Sequence, residues 1–448
     1  MSLGRRLFGD DAEVTGDRSF QLLLLASVCS PLGESVVSPV LDGLAAPYGV
    51  GDARIGLVMA AYTAPAVVLI PVAGALSDRV GRKPVLASGL ALVGAAGAVL
   101  PLTSDFRVVL ALRGLQGVGY TGIGPILVAS LGDLYDGATE ATAQGLRFTA
   151  VGVALTGLPL VAGALGAGDP QRALWLFAVA LPVAAAIATL LVEPTAVRSA
   201  ADADTDADAD PEADADGSAD PVDSEEPAAD GGADADVGGV RGVARAVSQP
   251  GLAALLVGRG VPSFLWFAFL TYASVLVIRA LSGSTGTAGA LVAAASVASA
   301  AGTTQVGRVT ARTDSRAGPM LGSLLVACVG LAVVALAPAL VVAGVGAVAF
   351  GAGFGVVLSL YRSTLTTRAP PAVRGGVVSL GESLGRLGST AAPVVTGALI
   401  AALGGDAAAV RVTVLAAAGV AAVVGSASVA VAARSGVLAG ADGPAAAN

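Results

Sequence analysis

The chain has no histidine, one lysine (Lys83) and two cysteines (Cys29 and Cys328) in 448 residues. Without histidine it lacks the usual proton shuttle and metal ligand, so any proton chemistry must rest on carboxylates. Both cysteines fall inside long apolar runs, which leaves no disulfide framework or metal site to be read from them. Charge is also scarce: 13% of residues are charged, against 55% hydrophobic and a mean hydropathy of +0.80. A soluble domain carries about 25% charged residues, so this balance excludes a water-soluble globule and describes a polytopic membrane protein. No Gly-rich phosphate loop and no nucleophile paired with a base occurs, so catalysis has no foothold and the chain is not expected to be an enzyme. No cofactor, metal or nucleic-acid partner is expected.

What is present is a series of apolar stretches. A membrane helix needs about 20 mostly apolar residues, and twelve such spans can be laid down, centred near residues 32, 66, 94, 118, 153, 183, 266, 296, 328, 351, 388 and 420. The twin arginines of "GRRLFGD" raise the possibility of a cleaved signal. Asp10, Asp11, Glu13 and Asp17 separate them from the apolar run and no A-x-A site follows, so the first span is expected to be retained. Between spans six and seven, residues 201–236 hold fifteen Asp or Glu and no Lys or Arg. Such a segment buries too little apolar surface to offset its ordering entropy, and the acidic pI belongs to it. The expected organisation is a cytoplasmic N-terminal segment (1–19), a six-helix bundle (20–195), a disordered acidic cytoplasmic linker (196–247), a second six-helix bundle (248–434) and a cytoplasmic tail (435–448).

The two halves repeat. A shift of 234 residues superposes "GVGY" (117–120) on "GAGF" (351–354) and "PLVAGAL" (159–165) on "PVVTGAL" (393–399). Transporters built from such repeats carry a midplane site between them. Of the 25 basic residues, 17 lie in or beside cytoplasmic segments if the N-terminus is cytoplasmic, and only Arg54, Arg107, Arg172, Arg279 and Arg411 lie in outer loops. This bias places both termini and the linker in the cytoplasm.

"GALSDRVGRKP" (74–84), between spans two and three, resembles the G-x-L-x-D-R-x-G-R-R/K loop of the major facilitator superfamily, through Gly74, Leu76, Asp78, Arg79, Gly81, Arg82 and Lys83. Glycines allow a tight turn, and Asp78 can accept from helix N-terminal amides or from an arginine. Residues 307–316, "GRVTARTDSR", resemble a decayed copy with Ala311 in the aspartate position. "RGLQGVG" (113–119) resembles the family's fourth-span signature, and "LGESVVSPVLD" (32–42) the first-span signature of its twelve-helix drug:proton antiporters, with Asp42 in place of the final proline. The fifth-span antiporter signature is matched in part, at Pro159 and Gly163, with Leu158 and Ala162 departing from it. The resemblance implies an all-α membrane fold of twelve transmembrane helices in two pseudo-symmetric six-helix bundles that rock about a central site.

Intramembrane charges are expensive, on the order of 3 kcal/mol or more each, and mark function by default. Counting about 1.5 Å per residue puts Glu34 near mid-membrane, Asp42 near the outer surface and Arg113 between them. Glu34 and Arg113 are therefore expected to pair, either as a proton-coupling couple, as the family resemblance implies for Arg113, or as a structural pin. Glu382 and Arg386, four apart on one helix face, are expected to pair with each other. Arg259 has no evident partner. Trp266, Phe267 and Tyr272 lie in span seven, which lines the cavity in the family; with Arg259 and Gln116 they are the candidate cavity residues, and an aromatic wall suits apolar or cationic molecules. The expected function is proton-coupled efflux of small amphipathic or lipophilic compounds by a monomer in the plasma membrane. The alternative is a symporter or importer of a metabolite such as an organic acid or sugar.

Overall fold

The computed structural model describes residues 14–196, 240–313, 315–370 and 373–438. The acidic block 201–236 lies outside the described residues, whereas Val240–Val247, expected within the disordered linker 196–247, forms a helix that runs up to the span starting at Pro250. In chain order the spans are α1 (Arg18–Leu44), α2 (Asp52–Val80), α3 (Arg82–Leu102), α4 (Phe106–Thr121 and, after a two-residue break, Gly124–Leu134), α5 (Gly137–Leu165), α6 (Pro170–Ala196), α7 (Pro250–Ala280), α8 (Thr285–Thr304), α9 (Ala317–Leu336), α10 (Leu340–Arg368), α11 (Arg374–Ala402) and α12 (Ala407–Arg434). Eleven of these are long and apolar enough to cross a membrane, and the broken α4 completes the expected twelve.

Local chemistry sets the helix ends. Asp17, Asp105 and Asp406 cap α1, α4 and α12, accepting from the backbone N–H groups of Ser19 (2.8 Å), Arg107 (2.8 Å) and Ala409 (2.7 Å). Ser284 and Thr287 form a reciprocal capping box at the start of α8. Inside α1, Pro31 and Pro39 interrupt the ladder, so the chain passes through a single helical turn, Leu32–Ser35, and a 3-10 turn, Ser38–Val40. Glu34 sits on that isolated turn.

The internal repeat is a packing repeat. A Cβ on Gly117 of α4 would lie 2.2 Å from the Tyr62 carbonyl oxygen of α2, and one on Gly351 of α10 would lie 2.0 Å from the Ala295 carbonyl oxygen of α8. A Cβ on Gly119 would lie 2.6 Å from the Gly89 oxygen of α3, and one on Gly353 would lie 2.5 Å from the Ser323 oxygen of α9. Only glycine permits approaches this close, the membrane's usual means of seating one helix against another. Positions 89 and 323 obey the same 234-residue shift as the glycines, so the matched sequence motifs make matched contacts in two pseudo-symmetric bundles.

The bundles meet along two equivalent crossings. At α5 with α8, Cβ atoms on Gly163 and Gly289 would lie 2.5 Å from the Thr285 oxygen and 2.2 Å from the Pro159 oxygen. At α2 with α11, one on Gly397 would lie 2.4 Å from the Ala53 oxygen. Polar contacts between the halves run from mid-depth towards the end that carries Tyr48. Thr63 and Thr390 hydroxyls meet at 3.0 Å, Ser38 donates to the Leu270 carbonyl at 2.5 Å, and Thr285 donates to the Gly163 carbonyl at 2.8 Å. At the opposite end, which carries Gly81, the ion pairs of Arg82 and of Arg362 stay within their own half.

Candidate functional site

Arg113 is fully buried. Its Nε donates to the Val58 carbonyl at 3.1 Å, Nη2 to the Gly33 carbonyl at 2.7 Å and Nη1 to Gln116 Oε1 at 2.8 Å, while its guanidinium lies 4.5 Å from the Tyr62 ring centre. Gln116, also fully buried, donates onward to the Val93 carbonyl at 3.1 Å. Arg113 therefore ties α1, α2, α3 and α4 together. The expected Glu34–Arg113 salt bridge does not form: the arginine takes the backbone of Gly33, because the broken helix leaves that carbonyl unpaired within α1. Gln116 belongs to the same network and does not line open space.

Glu34 is half-buried, and among the described residues its carboxylate makes no hydrogen bond or ion pair. Its charged neighbours are Arg113 and, from the opposite half, Arg386. Arg386 lies 5.0 Å from the ring centre of Tyr120 on α4, so it spans the gap between the bundles.

The expected Glu382–Arg386 pair is also corrected. Glu382 accepts from Arg259 Nη2 at 3.1 Å and from the Arg362 fork, Nε at 2.9 Å and Nη2 at 3.1 Å. Two guanidiniums from α7 and α10 reach the carboxylate from neighbouring helices, and Arg386 turns away to Tyr120. Arg259 thus has the partner its own span could not supply, and it donates to Ser263 Oγ at 2.9 Å as well. Arg362 was overlooked in the sequence because it sits near the end of α10, where a cation reads as a loop charge.

The span-seven aromatics form no cavity wall in this conformation. Trp266 stacks on Phe354 at 4.5 Å and on Phe350 at 5.8 Å, within the second bundle. Phe267 and Tyr272 are buried, the latter with its hydroxyl oxygen 3.0 Å from where a Cβ on Gly56 would stand. Large rings are the residues a Gly-rich bundle needs to fill its interior.

Two charge clusters mark the two ends. At the Tyr48 end, Arg279 of α7 holds Asp42 of α1 (2.7 Å) and Asp52 of α2 (2.7 Å). Burial pushes the phenol of Tyr48, in the turn between α1 and α2, up to about 12, with Arg113 opposing, so it adds no charge there near neutral pH. From sequence Arg279 is placed only as an outer-loop cation and Asp52 is not singled out; the proline-to-aspartate departure at Asp42 is the cluster's only signal.

At the Gly81 end, Gly81 takes φ 98°, a left-handed turn that favours glycine. Glu193, at the end of α6, accepts the backbone N–H of Arg82 at 2.6 Å and of Lys83 at 3.2 Å, capping α3. The Arg82 side chain donates to Asp133 at 2.8 Å and Ser77 at 2.6 Å and also bridges to Asp78, while Gly74 supplies the carbonyl that Ser77 bonds at 2.7 Å. Arg79 is exposed. Among the described residues no group of three or more Cys, Asp or Glu is placed to share a metal ion.

A model of the Major Facilitator Superfamily matches residues 23–393. The chain belongs to the major facilitator superfamily. This superfamily member is a multi-pass membrane protein with efflux-type relatives. It is 38% identical over 120 residues to the Bacillibactin exporter of Bacillus subtilis (strain 168), covering 26% of this chain and 30% of that one. It is 31% identical over 173 residues to the Multidrug transporter protein MdtP of the same organism, covering 38% and 31%, and 34% identical over 140 residues to the class C Tetracycline resistance protein of Escherichia coli, covering 30% and 35%. The alignments span about a third of the length of these relatives. The fold matches a bacterial homolog to the human lysosomal transporter Spinster at TM-score 0.74 (18% identity; 95% of this chain and 98% of that one). It matches a point mutant of the nucleoside transporter NupG at 0.72 (11%; 93% and 100%).

Proposed function

We propose that this superfamily member exports small amphipathic compounds across the plasma membrane in exchange for protons, with Glu34 as the proton carrier. The observation that carries this reading is the Glu34 carboxylate. It lies at mid-depth, half-buried and, among the described residues, without a bonded partner, between an arginine-pinned bundle and Arg386 of the opposite bundle. A carboxylate kept at that depth without a structural bond is available to take and release a proton. The efflux names of the relatives support the direction of transport.

Arginine placement turns the Gly81 end to the cytoplasm, with both termini and the linker on that side. The clamps at the Tyr48 end then close the outer side, and Glu34 is reached from the cytoplasm. Rocking about the α2–α11 and α5–α8 crossings would part the outer contacts and bring Glu34 into reach of external protons. Proton binding from outside removes its charge opposite Arg386 and favours the return; loss of that proton to the cytoplasm resets the site. The chain is read as working as a monomer, and nucleotide has no part in the cycle.

Dye or drug uptake into inverted vesicles under an imposed proton gradient tests this. Glu34→Gln is expected to lower gradient-driven uptake about a hundredfold, the lower end of the range for loss of one acid–base group, while exchange of labelled for unlabelled substrate without a gradient persists. Gradient-driven uptake at the unaltered rate would remove Glu34 from the coupling.

A further inference from the structure

Charge around Glu382 does not balance. Arg259 and Arg362 both grip this one carboxylate, and Arg386 lies within electrostatic reach of Glu382 and Arg259. Arg259 is 3% exposed, and among the described residues its buried Nε has no hydrogen-bond partner. Arg362 is half-exposed, with Nη1 free of the Glu382 bond. Arg259 is buried and Arg362 half-exposed, and among the described residues no second carboxylate bonds either guanidinium, so the pair around Glu382 keeps a net positive charge.

The surplus adjoins open space. A cavity of about 180 Å³ is lined by Arg259, Arg362, Leu365, Thr366, Val378 and Glu382. Arg259 packs closely on α11, where a Cβ on Gly385 would lie 2.7 Å from its Nη1, and Gly381 lines the cavity, where a Cβ would press on Leu365 at 2.9 Å. Drug-sized pockets run to about 300–1,000 Å³, so this space suits the charged end of a molecule, about one ring in size, and not a whole drug. Planar forks of Arg donors match carboxylate and sulfonate oxygens, while Leu365 and Val378 offer an apolar wall for the adjoining carbons.

We propose that this cavity is an anion-binding site, in which Arg362 and the edge of Arg259 hold the carboxylate or sulfonate of an amphipathic anion whose apolar end lies on Leu365 and Val378. Anionic amphiphiles then become the substrate class. Naming them substrates rests on the transport reading above; the binding does not.

The test uses the purified full-length chain in lipid nanodiscs and two permanently charged probes of similar size, p-toluenesulfonate and benzyltrimethylammonium, titrated by calorimetry. Saturable binding is expected for the sulfonate and none for the ammonium at equal concentration. Arg362→Gln is expected to weaken the sulfonate about tenfold, and Arg362→Lys less, since an ammonium keeps the charge without the fork. Val378→Phe fills the cavity without altering charge and gives the same loss as Arg362→Gln, which guards against a variant that merely folds badly. The titration is made at equilibrium without a proton gradient, so failure of proton coupling and failure of the anion site are separable. Ammonium binding equal to the sulfonate's, or unchanged sulfonate affinity in both Arg362→Gln and Val378→Phe, would overturn the proposal.

Discussion

Arg113 brings a permanent charge into the bundle and gives every one of its bonded contacts to neutral oxygens: two backbone carbonyls and one amide. Its role is thus geometric, and the geometry depends on the planar fork reaching α1, α2 and Gln116 at once. Arg113→Lys keeps the charge but can reach at most part of this set. Each charge-assisted hydrogen bond is worth about 1.5–3 kcal/mol, so this variant is expected to lose about 2 kcal/mol or more, read as a lower midpoint of thermal unfolding in detergent. An unchanged midpoint would mean that the fork is dispensable and that the charge alone matters. The sequence did locate Glu34, Arg113, Arg259, Glu382 and Arg386 as buried charges, because charge in an apolar run is visible by itself. It did not give their partners: Arg113 bonds residues 80 and 55 positions away, and Arg259 pairs across 123.

Helices α1, α2 and α7 meet in the Asp42–Arg279–Asp52 cluster, and here the unit that acts is the element. Arg279 sits on one bundle and both aspartates on the other, so the contact exists only while the Tyr48 ends of the two bundles are together. Arg279→Ala would leave two largely buried carboxylates without their cation, a penalty that opening to water relieves. On the alternating-access reading proposed above, the variant is expected to shift the population towards the state open at the Tyr48 end about tenfold, equivalent to about 1.4 kcal/mol. Ser38→Cys in a background with Cys29 and Cys328 replaced by Ser reports this, because Ser38 is fully buried and bonds Leu270 across the seam. Faster labelling from outside by a membrane-impermeant maleimide is the expected result, and an equal rate would show that the cluster holds nothing shut. The aspartate at position 42, which from sequence only weakens the match to the antiporter signature, is thereby given a physical use. The aromatic residues of α7 show the opposite outcome: a run of rings in a cavity-lining span was legible, but which way each ring faces depends on packing against Phe350 and Phe354, more than 80 residues on.

At the scale of the molecule, the repeat was readable because packing constrains it: a glycine whose Cβ would meet a carbonyl oxygen near 2 Å has no substitute, and the paired glycines of α4 and α10 show it. The crossings between halves follow the same logic, with α5 on α8 mirrored by α11 on α2. These contacts are formed by the helices themselves and do not involve the chain between residues 196 and 240, so the halves carry their own instructions for association. A covalent tether acts by raising effective concentration, to the mM range for a short one, and confinement to a common membrane supplies part of the same effect. Residues 1–200 and 237–448 produced as two separate chains in one cell are therefore expected to co-purify through a tag on either one and to transport with an unchanged KM, at a lower maximal rate set by how much complex forms. If the two chains fail to co-purify while the same break leaves each inserted in the membrane, the crossings at Gly163, Gly289 and Gly397 are too weak to hold the bundles, and the linker is part of what joins them. Retention of the complex with loss of transport would instead place the tether in the rocking motion itself, and the reading of residues 196–247 as a passive cytoplasmic connection would fall.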